Sequence, residues 1–482
     1  MRQPSITIIG AGFGGLGTAV ELRRAGFRDI TILEKADGVG GVWRENTYPN
    51  AACDVPSSLY SWSFAPNPGW PHRYSRQDEI LAYIERTARE QGVLDLVRTG
   101  VEVTSAAYDD DSASWLLRTA TGEKIESDVV ITAVGQLSRP AIPAIPGVET
   151  FAGPAFHSAE WDHSVDLRGK RIAVLGTGAS AIQFVPGIQP EAGHVTVFQR
   201  SAPYVVPKPD REYTRAHNKA FRRFPATQTF GRNLTWVLSE QLNRSFTSRN
   251  PVKKAMELAW RVQLRTQVRD PELRKKLVPD YPLGCKRLLF STEWYPALAQ
   301  PNVDVVTEPV VEVLPHGVRS GDGTVHEVDV VIYGTGFAAT EFLAPIQFTG
   351  TDGADLHTRW KEGARAYLGL CVPDFPNLFV VYGPNTNLGG SSIINMLEAA
   401  SGAISTLLRH TDERGDRAVV VRPEAEQRFD EEMQDRLSKS VWASCHNWYH
   451  EDGGRITTNW PGAVAEYQKR CANLDLGDFA TA

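Results

Sequence analysis

Ser5-Ile-Thr-Ile-Ile9 runs directly into Gly10-Ala-Gly12-Phe-Gly-Gly15, followed by Leu16-Gly-Thr-Ala-Val-Glu-Leu-Arg-Arg-Ala-Gly26 and then Ile30-Thr-Ile-Leu-Glu34. The apolar, β-branched runs at either end predict short buried strands, and the stretch between them predicts a helix that stops at a glycine. Glu34 closes the second strand, 19 positions after Gly15. Strand, glycine turn, helix and acid in this register predict a Rossmann-like dinucleotide-binding unit. Gly10 permits the tight turn, Gly12 lets the backbone approach a pyrophosphate, and Gly15 lets the helix pack closely on the strand. The helix N-terminus offers unpaired N–H groups and the positive end of its dipole to phosphates. Glu34 accepts from a ribose hydroxyl and repels a 2′-phosphate, so FAD or NAD is expected here and NADP is not.

The pattern recurs in Arg171-Ile-Ala-Val-Leu175, Gly176-Thr-Gly178-Ala-Ser-Ala181 and Val195-Thr-Val-Phe-Gln-Arg200. Ala181 takes the place of the third glycine, and Arg200 and Ser201 stand where the first unit has its acid. A guanidinium and a hydroxyl suit a 2′-phosphate, which predicts NADP(H) at this second site.

Asp128-Val-Val-Ile-Thr-Ala-Val-Gly135 and Asp329-Val-Val-Ile-Tyr-Gly-Thr-Gly336 read as two more buried strands ending in glycine turns, and they mark the expected crossings between the two nucleotide domains. The chain is thus expected to be an α/β protein with two Rossmann-like dinucleotide-binding domains, one for FAD and one for NADP, and a helical insertion. Residues 1–140 and 331–482 would form the discontinuous FAD-binding domain, 141–204 and 284–330 the NADP-binding domain, and 205–283 the helical insertion. Near the C-terminus, Val380-Val-Tyr-Gly383-Pro384-Asn-Thr-Asn-Leu-Gly389-Gly390 precedes a helical pattern from about Ser391. That arrangement predicts another helix N-terminus aimed at a ligand, the flavin ring being the natural partner.

A chain of 482 residues, 42% hydrophobic and 22% charged, is long enough for more than one core and ordinary in composition for a globular protein. Its net charge of −6 gives no overall reason to expect nucleic acid. Charge is uneven, however: Arg211 to Lys276 holds 16 Lys/Arg against 5 Asp/Glu, leaving −17 for the remainder. This block is expected to be a separate module, read first as a set of solvated helices, alternatively as a surplus that draws an anionic cofactor toward the site, and third as a nucleic-acid- or membrane-binding surface. The five cysteines, Cys53, Cys285, Cys371, Cys445 and Cys471, are scattered and odd in number. That pattern argues against structural disulfides, zinc sites and dithiol redox chemistry, and suits a reducing cytoplasm; no metal-binding residues are expected. Neither a long apolar leader nor a membrane-length apolar run is present in the sequence, so no membrane partner is expected.

Between the two glycine turns lies Phe151-Ala-Gly153-Pro-Ala-Phe-His157-Ser-Ala-Glu-Trp161-Asp162, whose residue types fit neither core packing nor an ordinary linker. Its position predicts that it spans the place where the two cofactors meet. Two nucleotide sites, one rejecting and one accepting a 2′-phosphate, together predict NADPH reducing a bound flavin.

Phe151-x-Gly153-x-x-x-His157-x-x-x-Trp161-Asp162 resembles the signature of type I Baeyer–Villiger monooxygenases, FAD- and NADPH-dependent enzymes that insert one oxygen atom beside a carbonyl. Flavin-containing monooxygenases resemble it through the histidine but usually lack the Trp-Asp ending. Gly41-Val-Trp43-Arg-Glu-Asn-Thr-Tyr48-Pro49-Asn50-Ala-Ala-Cys53-Asp54 is similar to the family's second fingerprint, departing from it at Asn50. Gly284-Cys-Lys286-Arg287 matches the segment that carries the family's active-site arginine, while Ala338 stands where an Asp often follows the glycine-phenylalanine pair. The stretch from Tyr367 to Gly390 is most similar to the branch acting on aryl ketones.

The resemblance implies oxidation of a small-molecule ketone, or of a sulfide, by O2 through a C4a-peroxyflavin, giving an ester or lactone. Within it, Arg287 would favour the peroxyanion and stabilise the adduct oxyanion, and Asp54 would orient Arg287 from behind. His157 would organise a hinge while NADP(H) shifts between poses. Lys286 would reach the 2′-phosphate together with Arg200. Cofactor contacts are expected from Gly10, Gly12, Phe13, Gly14, Gly15, Glu34, Lys35, Gly41, Val42, Trp43, Asp54, Tyr60, Val103, Ala133, Gly135, Gly176, Thr177, Gly178, Ala179, Ser180, Gln183, Arg200, Ser201, Lys286 and Gly336. Residues 205–283 and 430–465 are expected to shape the substrate pocket. The alternative is a flavin-containing monooxygenase oxidising nitrogen or sulfur nucleophiles, which needs no arginine at the flavin.

Overall fold

A computed structural model describes residues 3–247, 251–445, 449 and 454–481. Part of the expected pocket segment, residues 446–448 and 450–453, lies outside these.

Two parallel five-stranded sheets organise the chain. In the first, the order is Leu378–Val380, Val129–Thr132, Ile6–Ile9, Ile30–Glu34, Val97–Thr99. In the second it is Val303–Val306, His194–Phe198, Arg171–Leu175, Val330–Tyr333, Ala155–His157. Ile6–Ile9, Val129–Thr132 and Val330–Tyr333 are buried along their whole length, as expected when helices cover both faces of a parallel sheet. In each sheet the strand that feeds the glycine turn has its sequence successor on one side and a much later strand on the other. That is a topological switch point, where a crevice opens beyond the carboxyl ends of the strands. The helix Ile393–Arg414 packs along Phe13–Arg24 beneath the first sheet, with the hydroxyls of Thr18 and Ser401 2.8 Å apart.

Sheet membership revises one sequence expectation. Val330–Tyr333 pairs with Arg171–Leu175, so the strand set at the start of the returning FAD segment belongs to the second sheet. Phe151–Asp162 lies within the segment 141–204 expected for the NADP-binding domain and contributes to its sheet. Ala155–His157 is the edge strand of the second sheet, in register with Val331–Tyr333. Three residues are too short for periodicity to reveal a strand, and only the neighbouring backbone makes it one.

The basic block contains the helices Arg215–Arg223, Pro225–Arg244, Pro251–Gln267 and Pro271–Lys276. It is not a separate module, because its buried residues are divided between the two cores. Phe246 joins the first core, and Trp260 and Leu264 join the second. Val205–Val206 pairs with Leu289–Phe290, closing the block at its base.

The expectation of no disulfide is also overturned. Cys285 and Cys445, 160 positions apart, form one, with their Cα atoms 6.2 Å from each other. The turn at Val441–Ser444 is held to the helical block by the Val441 N–H, which donates to the Phe246 carbonyl at 2.9 Å. Phe246 in turn packs so closely on Gly284 that a Cβ there would meet its ring at 2.5 Å. Chain spacing carries no trace of this tertiary apposition.

Candidate functional site

The first glycine turn is built for close approach. Gly10 has φ +104, and a Cβ on it would meet the Ala133 carbonyl oxygen at 2.6 Å; a Cβ on Gly15 would lie 1.9 Å from the Gly10 oxygen. The helix Phe13–Arg24 starts from Gly12 with no side-chain cap and no acid in its first turn, so its leading N–H groups face the crevice free for an anion. Glu34 is fixed beside them: the N–H groups of Ala11 and Ala36 donate to its two carboxylate oxygens at 2.7 and 2.9 Å. A carboxylate so anchored retains lone pairs for ribose hydroxyls.

A cavity of about 810 Å³ starts at this turn and extends to the second nucleotide unit. Of the sequence-predicted residues, Gly10, Gly12, Phe13, Gly14, Glu34, Lys35, Gly41, Val42, Trp43, Asp54, Tyr60, Val103, Ala133, Gly135, Ala179, Ser180, Gln183 and Arg287 line it. The turn at Asn387–Ser391 and Ile393, at the start of the helix Ile393–Arg414, completes one wall. The size and lining suit a dinucleotide and a small substrate.

Arg287 and Asp54 meet in this cavity. Nη2 of Arg287 is 3.5 Å from Oδ2 of Asp54, with 45% of the arginine side chain exposed against 10% of the aspartate. The aspartate is therefore the buried anchor and the guanidinium the part that reaches the open space. Burial works against the arginine's charge, but Asp54, then Tyr449 and Tyr382, outweigh it and hold the guanidinium above its usual pKa.

A third charged group was not legible in the sequence. Nζ of Lys208 lies 3.9 Å from Oδ1 of Asp54, an oxygen buried without a hydrogen bond, and 5.2 Å from the centre of the Tyr74 ring. Its only sequence signal is a lysine between two prolines, in Val206-Pro-Lys208-Pro. One carboxylate thus sits between two cations.

Gln183 ties the second unit to the first. Its amide accepts from the Tyr48 hydroxyl at 3.2 Å and from the Ala52 N–H at 3.1 Å, and donates to the Ala52 carbonyl at 2.9 Å. The helix it belongs to, Ala181–Ile188, starts without a side-chain cap and without an acid in its first turn.

The expected 2′-phosphate residues gather beyond the cavity. Nζ of Lys286 donates to the Ser201 hydroxyl at 2.8 Å, and Oγ1 of Thr177 to the Ser201 carbonyl at 3.4 Å. Burial first, and the like charge of Arg200 second, lower the pKa of Lys286. Two cations brought together in this way favour an anion between them. Gly176, with φ +107, would press a Cβ to 2.4 Å from the Gly334 oxygen. The first turn therefore fits a flavin dinucleotide and the second an NADP.

His157 is set apart from Arg287 and is not among the cavity-lining residues. It is 1% exposed, and its Nδ1 accepts from the Ala159 N–H at 3.1 Å. That assigns the proton of the neutral ring to the buried Nε2. Burial lowers its pKa, with the Gly336 carbonyl and Glu160 pulling the other way. The ring stands 5.7 Å from that of Phe337, which does line the cavity.

Residues 3–278 match the flavin-binding monooxygenase-like family. A Baeyer–Villiger monooxygenase of Streptomyces coelicolor is 43% identical over 477 residues, covering 98% of this chain and 92% of the relative. One from Pseudomonas aeruginosa is 42% identical over 481 residues, covering 99% and 91%. Among solved structures, cyclohexanone monooxygenase from Rhodococcus sp. Phi1 bound to NADP+ superposes with a TM-score of 0.89 at 28% identity, covering 100% of this chain and 99% of that one. An oxidised steroid monooxygenase bound to NADP gives 0.87 at 29% identity, with coverages of 100% and 99%.

Proposed function

Since this chain belongs to the Baeyer–Villiger monooxygenases of the flavin-binding monooxygenase-like family, we propose that it converts a ketone, O2 and NADPH with a proton into an ester or lactone, water and NADP+. FAD, when bound, supplies the electron transfer from NADPH to dioxygen. The chain's own residues decide where it binds and what the activated oxygen meets.

Gly10, Gly12 and the N-terminus of Phe13–Arg24 would hold the FAD pyrophosphate, and Glu34 its ribose. Gly176, Thr177 and Gly178 would hold NADP(H), with Arg200, Ser201 and Lys286 around the 2′-phosphate. The observation that carries the reading is the Asp54–Arg287 pair at the wall of a cavity that begins at the flavin turn. A guanidinium held charged and aimed at that space stabilises the negative oxygen that develops when a carbonyl is attacked. An enzyme that oxygenates amines or sulfides has no need of such a cation. Among the described residues no helix is long and apolar enough to cross a membrane.

The test is NADPH consumption across ketones, sulfides and amines with product identification. Ester or lactone formation supports the reading. Turnover confined to amines or sulfides, or peroxide release without oxygenated product, refutes it.

A further inference from the structure

The helix Pro225–Arg244 turns an apolar stripe outward. Phe230, Leu234, Val237 and Leu238 follow the spacing of one helical face and are between 46% and 70% exposed, with Phe224 at the helix entrance 61% exposed. Such a face normally turns toward a core. Here the opposite face does so, through Glu240, Asn243 and Arg232, whose Nη1 donates to the Ser58 and Ser61 carbonyls at 2.8 and 3.1 Å.

The chain around the stripe is cationic throughout. Between Glu212 and Glu240 there is no acid, whereas Arg215, Lys219, Arg222 and Arg223 are all exposed on the preceding helix, Arg215–Arg223, which packs against Pro225–Arg244. The stripe also borders the cavity, because Leu238 belongs both to the exposed face and to the cavity lining.

We propose that this face docks on an anionic phospholipid surface, with the apolar stripe entering the headgroup boundary and the flanking basic residues meeting the lipid phosphates. An amphipathic helix with exposed aromatic and aliphatic residues on one side and cations beside them binds such an interface without spanning it. Charge decides against a second copy of the chain, since a two-fold contact would set this cationic surface against itself. Nucleic acid would satisfy the cations but offers its phosphate backbone no use for the apolar stripe. With Leu238 at the boundary, apolar substrates dissolved in the bilayer would enter the cavity from the docked side.

The experiment is cosedimentation of the FAD-loaded enzyme with phosphatidylglycerol/phosphatidylcholine vesicles and with phosphatidylcholine vesicles alone, at low and high salt. The expected result is sedimentation with the anionic vesicles only, reversed by salt, and reduced at least about tenfold by Arg222→Glu/Arg223→Glu and by Phe230→Ser/Leu234→Ser. Flavin content and turnover of a water-soluble ketone, expected unchanged in both variants, show that they are folded and keep the outcome separate from the oxygenation itself. The proposal is overturned if wild type stays in the supernatant or binds neutral vesicles equally. It is likewise overturned if wild type binds duplex DNA in preference to vesicles, or if it is a dimer that the Phe230/Leu234 variant splits.

Discussion

Nη2 of Arg287 lies 3.5 Å from Oδ2 of Asp54, a contact between residues 233 positions apart that sets a cavity guanidinium against a largely buried carboxylate. Arg287→Ala should therefore leave flavin reduction by NADPH intact while ester formation drops by about two to three orders of magnitude. Stopped-flow bleaching of the flavin and product chromatography read the two steps separately. Retained ester yield would remove Arg287 from the chemistry.

Asp54 carries two cations, Arg287 on one oxygen and Lys208 on the other. Asp54→Asn should lower kcat about ten- to a hundredfold, or roughly 1.4 to 2.7 kcal/mol in the barrier, and Lys208→Met should cost less. Because Asp54 acts through Arg287, adding Asp54→Asn to Arg287→Ala should change little further. Fully multiplicative losses in the double variant would show that the two act independently.

Arg200→Ala and Lys286→Ala should each raise KM for NADPH by about ten- to a hundredfold and scarcely alter that for NADH, since charged hydrogen bonds to the 2′-phosphate contribute roughly 1.5–3 kcal/mol each. Steady-state kinetics with both coenzymes decide this, and equal effects on the two would refute the assignment.

His157 is buried with its pKa held below the ordinary imidazole value of 6.5. The folded state thus binds fewer protons than the unfolded chain, and the stability this neutral ring contributes is present above that value and lost as pH falls below it toward the folded pKa. Thermal melts between about pH 5 and 8 should show this decline, and His157→Gln should flatten it. Parallel wild-type and variant curves would place the pH dependence elsewhere.

With Cys285 and Cys445 bonded, Cys53, Cys371 and Cys471 remain as the free thiols. Thiol titration of the denatured protein should count three before reduction and five after. Five in both states would exclude the bridge.

The two nucleotide turns were readable from the chain because a Rossmann unit is local. Strand, glycines, helix and the residue ending the second strand fall within about thirty positions, and the backbone geometry requires those residue types there. Glu34 and Arg200 accordingly read as strand ends suited to two different cofactors. The resemblance of longer motifs added Arg287 and Asp54, which no local pattern relates to each other.

What local pattern could not supply was apposition. Lys208 beside Asp54, Cys285 against Cys445, and the three residues at Ala155–His157 that become an edge strand all depend on distant segments lying side by side. The supposed basic module proved to be shared between two cores. The sequence by itself determined the nucleotide turns and the charges at their strand ends, because backbone conformation and side-chain chemistry act over a few residues. Only the tertiary structure decided which charges share the carboxylate of Asp54 and which helix face is left to solvent, because those follow from packing between elements far apart in the chain.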